Sequence, residues 1–111
     1  MGMKYTPKQG DFVIISFDPQ TGNEQKGRRP GLVISKDEFN ECGLAMVCPI
    51  TNTKRKFPFH VSVPAESSLT GFIMAEQVKS IDYRVRKVQF VEKSSEEVLA
   101  DVLSLIDAIL F

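Results

Sequence analysis

The sequence predicts a mainly β (α+β) fold, a small curved antiparallel barrel followed by a C-terminal α-helix. Three observations carry that expectation. Six short runs with strand character follow one another over residues 11–91. The segments between them leave no room for the crossover helices of a parallel sheet. Over residues 92–111 the apolar period changes from that of a strand to that of a helix.

The first run, Asp11–Phe17, contains Phe12-Val13-Ile14-Ile15, apolar on both faces. Such a strand is central, covered on two sides or on one side plus a subunit interface. Residues 17–30 then form a long polar connection with two glycines, Gly22 and Gly27, ending at Arg29-Pro30. Pro30 biases Arg29 towards an extended backbone, at the root of the second run, Gly31–Ser35. Ser35-Lys36-Asp37-Glu38 resembles a capping box opening one helical turn, which Gly43 ends. Leu44–Pro49 is the third run. In Phe59–Val63, Phe59, Val61 and Val63 alternate with His60 and Ser62, the pattern of a half-buried strand. Gly71–Ala75 and Val85–Val91 complete the set. Ser94-Ser95-Glu96-Glu97 offers a second capping box, with Ser94 as N-cap and an acidic first turn that suits the helix dipole. Val98, Val102, Leu105 and Ile109, beside Leu99, Ile106 and Leu110, make a wide apolar face. That face packs on the sheet or on a second copy of the chain.

At 111 residues and 12.4 kDa the chain reads as a single domain, 1–111, with hydrophobic residues at 42%. No apolar run approaches the roughly 20 residues that span a bilayer, and the N-terminal residues lack the apolar region of a signal peptide, so none is expected. The expectation is a cytoplasmic protein with no membrane partner. Cys42 and Cys48 form no CxxC pair, and His60 is the sole histidine. No metal site or cofactor is expected, and both thiols read as small buried hydrophobes. The formal net charge is zero, but residues 1–91 hold 13 basic against 9 acidic side chains, a balance of +4. The cations cluster as Lys26, Arg28 and Arg29, as Lys54, Arg55 and Lys56, and as Lys79, Arg84, Arg86 and Lys87. These are either a phosphate-binding footprint on one face or ordinary solvated charge.

Candidate chemistry narrows by elimination. The segment Gly22–Gly27 lacks the Gly-Lys-Ser/Thr ending of a P-loop, and no Gly-x-Ser-x-Gly elbow occurs. Carboxylates do not pair as in a two-metal nuclease. A lone histidine cannot run a histidine-pair ribonuclease mechanism. His60 faces away from Phe59 and Val61, so it is read as an exposed or rim side chain. An arginine site remains. RNA is cleaved without metal when its own 2′-hydroxyl attacks phosphorus and the enzyme stabilises the crowded phosphorane. Arg29 supplies a fixed fork of donors for phosphate oxygens. Thr51, at the end of an apolar strand, either donates to the same phosphate or satisfies local backbone. Glu24 positions the arginine, accepts a proton, or is a solvated loop acid.

These residues resemble the MazF/PemK family, the toxin halves of bacterial toxin–antitoxin pairs. The matching segments are Gly10-Asp11, Phe17-Asp18-Pro19, Gly22-Asn23-Glu24-Gln25-Lys26-Gly27, Arg29-Pro30, Pro49-Ile50-Thr51 and Gln77-Val78-Lys79-Ser80-Ile81. The resemblance implies a Src-homology-3-like barrel with a C-terminal helix, working as a homodimer in the bacterial cytoplasm. It implies a metal-independent, sequence-specific endoribonuclease that cuts single-stranded mRNA, leaving 2′,3′-cyclic phosphate or 3′-phosphate and 5′-hydroxyl ends. By that resemblance Arg29, Thr51 and Glu24 are catalytic. Phe17, Asn23, Gln25, Lys26, Arg28, Lys54, Arg55, Lys56, Gln77 and Lys79 are RNA-binding. The implied partner is a cognate MazE/PemI-like antitoxin whose disordered tail folds onto the dimer. Two rivals stand beside this reading. One is a small barrel that binds RNA or protein without cutting. The other is a gyrase-poisoning toxin of the same fold.

Overall fold

The computed structural model describes residues 4–17, 27–53 and 57–111. Among the described residues seven strands form one antiparallel, strongly curled but open sheet: β1 Asp11–Ser16, β2 Arg28–Val33, β3 Leu44–Thr51, β4 His60–Ser62, β5 Phe72–Met74, β6 Lys79–Asp82 and β7 Gln89–Lys93. Helix α1 spans Asp37–Asn40, a 3₁₀ turn spans Ala75–Gln77, and helix α2 spans Glu96–Leu110. The strand order is β4-β5-β3-β2-β1-β7, with β6 also on β3. The curl originates in β3. Its first half pairs with β6, from Leu44↔Asp82 to Val47↔Lys79, and its last two residues pair with β5, as Ile50↔Ile73 and Thr51↔Phe72.

Side chains alternate across strands, so the sheet sorts its apolar residues into two clusters. On one face Phe12, Leu32, Ile34, Cys48, Ile50 and Ile73 pack with Val98 and Val102 of α2. On the other, Val13, Ile15, Val33, Ala45, Val47 and Ile81 pack under Tyr83, with Tyr5, Phe17 and Val88 at their margin. The doubly apolar β1 is thus covered on both sides, as its sequence predicts. Helix α2 buries its first half on the sheet, while Ile109, Leu110 and Phe111 stay exposed.

Local polar groups pin the frame. Asp11, almost fully buried, accepts from the Lys8 amide at 3.0 Å and the Tyr5 hydroxyl, and Lys93 Nζ stands 2.7 Å from it. Burial, first, and then the Asp11 carboxylate push the Tyr5 phenol well above its usual range. Asn40 is buried and donates to the carbonyls of Pro7 at 2.9 Å and Ser35 at 3.1 Å. Glu92 accepts from Ser67 and Ser68, each hydroxyl at 2.6 Å, tying the segment before β5 to β7. Those bonds favour the carboxylate and lower its pKa, so the tether is complete at neutral pH and is lost as pH falls through that lowered value.

Four sequence expectations are corrected here. Val85–Val91 is not one strand: the chain turns over residues 83–87, and β6, which lies before that turn, is absent from the sequence reading. Ser95, not Ser94, caps α2, accepting from the Val98 amide at 3.2 Å; the Ser94 amide instead donates to Gly10 O at 2.8 Å. Ser35 does not cap α1, because its hydroxyl is spent on Asn40 and on the Met46 amide. Cys42 is exposed beside the Gly43 turn, and only Cys48 is buried. Burial, then the negative charge of Glu76, pushes the Cys48 thiol up to about 12. A maleimide at about pH 8 should therefore modify Cys42 and spare Cys48 until the chain unfolds, since the thiolate is the nucleophile. Mass spectrometry against denaturant concentration reads this directly; equal labelling of both thiols in the folded protein would contradict it.

Candidate active site

Cross-strand partners point to the same face of a sheet, so the register decides which polar residues meet. Arg29 is opposite Ile15 on β1, and Gly31 is opposite Val13. Gly31 is opposite Pro49 on β3, Val33 is opposite Val47, and Val47 is opposite Lys79. Arg29 and Lys79 therefore share the sheet face that α2 does not cover, and Phe17 lies two residues beyond Ile15 on that same face. From the Gly31↔Pro49 pair, two further residues along each strand lead to Arg29 on β2 and Thr51 on β3. The sheet thus brings Arg29 and Thr51, 22 residues apart in sequence, to one end of one face.

The surroundings of that end are specific. Arg29 is exposed, and its backbone is held inside β2. Thr51 Oγ1 accepts from the Thr53 amide at 3.1 Å, which fixes the hydroxyl oxygen and leaves its proton for donation elsewhere. The Phe17 ring lies over Gly31, where a Cβ would come within 3.0 Å of Phe17 Cζ and 2.7 Å of Val47 Cγ1. Gly31 is needed for that close approach. Lys79 Nζ stands 5.9 Å from the centroid of the Phe17 ring, a cation–π distance. Gln77, exposed, ends the 3₁₀ turn just before Lys79.

Other sequence candidates are disposed differently. Arg28 Nη1 donates to Lys87 O at 2.8 Å. Arg84 pairs with Asp82, Nη2 to Oδ2 at 3.0 Å, and that guanidinium holds the Asp82 carboxyl below the usual carboxylate range. Arg86 binds backbone carbonyls of Ser16 and Phe17. Of the third basic cluster, Lys79 shares the sheet face of Arg29, and Arg84 and Arg86 are bound to other partners. Glu24, Asn23, Gln25, Lys26, Lys54, Arg55 and Lys56 lie outside the described residues.

His60 is a correction. Its side chain is 5% exposed and its Nε2 is 3.1 Å from Glu76 Oε2, with the Phe57 ring edge-on at a centroid distance of 5.0 Å. Alternation does place it opposite the Val61 side of β4, but the curl of the sheet brings the 3₁₀ turn over that face. Sequence reasoning missed the His60–Glu76 pair because the residues are 16 apart and joined only through the β4–β5 register, His60↔Met74. Among the described residues no three His, Cys, Asp or Glu side chains gather as a metal-ligand set. Nor is any described helix long and apolar enough to cross a membrane.

Residues 8–110 match the family described as PemK-like, MazF-like toxin of type II toxin–antitoxin system. The chain belongs to this toxin family. The Escherichia coli endoribonuclease toxin ChpB is 34% identical over 107 residues, 92% of each chain. The crystal structure of MazF from Deinococcus radiodurans superposes with a TM-score of 0.87 at 36% identity, covering 96% of this toxin-family chain and 98% of its own. A MazE–MazF structure from the same organism gives 0.84 at 31% identity, covering 96% and 97%. The curled antiparallel sheet with its C-terminal helix is therefore the PemK/MazF-like fold.

Proposed function

We propose that this toxin cleaves single-stranded RNA without a metal ion, with Arg29 and Thr51 as the groups that stabilise the reacting phosphate. What supports the reading is the common sheet face and strand end of those two residues, in a chain of the family that contains endoribonuclease toxins. The substrate's 2′-oxygen forms a bond to phosphorus and gives up its proton. The P–O5′ bond breaks and the 5′-oxygen takes a proton, leaving a 2′,3′-cyclic phosphate, or a 3′-phosphate after hydrolysis, and a 5′-hydroxyl. The phosphorane between carries extra negative charge on its equatorial oxygens. The Arg29 fork meets two of them, and the Thr51 hydroxyl donates one neutral hydrogen bond. A guanidinium offers five donors and no acceptor, so the contribution of Arg29 is charge stabilisation. Glu24 is assigned to positioning Arg29 or taking the 2′-hydroxyl proton.

Phe17, Gln77 and Lys79 form the described part of the RNA path: a ring for base stacking, an amide for base edges and a cation for phosphate. Asn23, Gln25, Lys26, Lys54, Arg55 and Lys56 are assigned to the same path, as is Arg28, one of whose donors is held by Lys87 O. The acting unit is one domain, residues 1–111, paired as a homodimer in the bacterial cytoplasm. The exposed Ile109, Leu110 and Phe111 at the end of α2 suit a second copy. The controlling partner is a MazE-like antitoxin with an acidic, apolar-anchored tail that orders as it covers the basic face.

Incubating the chain with a long single-stranded RNA in EDTA tests this. The expected result is discrete fragments whose 5′ ends accept label from a kinase without prior phosphatase treatment. RNA bound tightly but left intact would replace cleavage with a binding role.

A further inference from the structure

β7 pairs with β1 only as far as Ile14↔Gln89, so the outer edge of β1 is left without a strand at Ser16 and Phe17. Arg86 fills that edge. Its carbonyl accepts from the Ser16 amide at 3.0 Å, and its Nη1 donates to Ser16 O at 3.0 Å and Phe17 O at 3.2 Å. On the inner side, the Phe17 amide donates to Gly27 O at 3.0 Å. Phe17 is thus held from both flanks, with its ring over Gly31 and under Lys79.

A second arginine crosses the other way. Arg28, whose register partner is Ser16, donates to Lys87 O at 2.8 Å. Lys87 has φ +55, a left-handed conformation uncommon for a side chain with a Cβ, at the bend where the chain turns into β7. Two guanidinium groups therefore latch one turn to two adjacent strand ends, and Arg29 follows Arg28 directly.

We propose that Arg86 is a positioning residue for RNA cleavage, fixing the Phe17–Lys79 pair and the strand end that presents Arg29. This rests on the ribonuclease reading above. Arg86 acts through backbone carbonyls and does not touch phosphate. Both donations leave one nitrogen, Nη1, whose N–H directions the planar guanidinium fixes, whereas a lysine ammonium rotates freely on a shorter stem.

The test compares the full-length chain with Arg86→Lys and Arg86→Gln, on a single-stranded RNA at several salt concentrations. Both variants should lose about 10- to 100-fold in kcat, the range that small misplacements of reacting groups produce. The salt slope of RNA binding should stay at the wild-type value, because Arg86 itself makes no phosphate contact. Amide exchange at Ser16 and Phe17 should speed in Arg86→Lys while the amides of α2 keep their protection, a local readout independent of activity. An Arg86→Lys variant with wild-type kcat and unchanged exchange overturns the proposal, as does a salt slope lowered by about one in Arg86→Gln, which marks a direct phosphate contact. If the wild-type chain itself leaves RNA intact, the ribonuclease reading falls and this inference with it. Active wild type beside equally active variants removes this inference alone.

Discussion

Arg29→Ala should lower RNA cleavage by at least about 10³-fold, the lower end of what an arginine supplies to a phosphoryl-transfer transition state. Thermal unfolding should barely move. Arg29 is exposed, and the ladder at Ile15↔Arg29 uses only backbone, which alanine supplies equally well. Exposed substitutions of this kind shift stability by about 0.5 kcal/mol or less. Arg29→Lys keeps the charge but loses the planar fork, so it should recover only a small part of the rate. Thr51→Ala should cost less than Arg29→Ala. It removes one neutral donor, worth roughly 2.7–4 kcal/mol at most in such sites, together with the acceptor of the Thr53 amide. Initial rates on one RNA, with circular-dichroism melts of each variant, separate these contributions. An Arg29→Ala enzyme cutting at near wild-type rate would remove Arg29 from the mechanism.

The relation between sequence and site is uneven for physical reasons. β1 and the first half of α2 were legible because local period and burial agree: Phe12 to Ile15 are covered on both faces, and Val98 and Val102 lie on the sheet. β6 was not, since Lys79-Ser80-Ile81-Asp82 offers a single apolar residue and depends on β3 for its conformation. Val85–Val91 looked like a strand through its β-branched residues. Yet Val85 is exposed, and the turn there is set by long-range bonds from Arg28 and Arg86. Arg29 and Thr51 were legible individually, as polar groups at strand ends. That they share a face is a property of the register between two strands, which no local window contains. His60 shows the same limit from the other side. Its alternation was right, but what covers it came from the 3₁₀ turn.

Gly71→Ala tests how closely Thr51 depends on its neighbour strand. Gly71 has φ +122, a region that side chains with a Cβ rarely adopt. A Cβ there would meet Thr51 O at 2.5 Å and Asn52 Oδ1 at 3.1 Å. The first obstacle is backbone, so it cannot swing aside as a side chain tip would. Gly71 also fixes the loop before β5, since its carbonyl accepts from the Val63 amide at 2.9 Å, and the next residue, Phe72, pairs with Thr51. Alanine must therefore change φ at the cost of those bonds, or push β5 away from β3 at the residue proposed to act on phosphate. The expected loss is about 2–4 kcal/mol of stability, from strain and a broken ladder together. For a domain of this size that lowers the melting temperature by roughly 10–25 °C. The folded fraction should also cleave RNA about 10-fold more slowly or worse, because Thr51 moves with the strand end. Gly10→Ala is the control. Its φ is +92, but its nearest atoms would be 3.5 Å away, ordinary van der Waals contact, and it lies beside Ser94 and Leu99, away from Thr51. It should cost about 1 kcal/mol and leave the rate per folded molecule unchanged. Equal losses at the two glycines, in urea unfolding and in cleavage, would show that φ strain alone governs Gly71 and that the Thr51 carbonyl yields without moving its side chain.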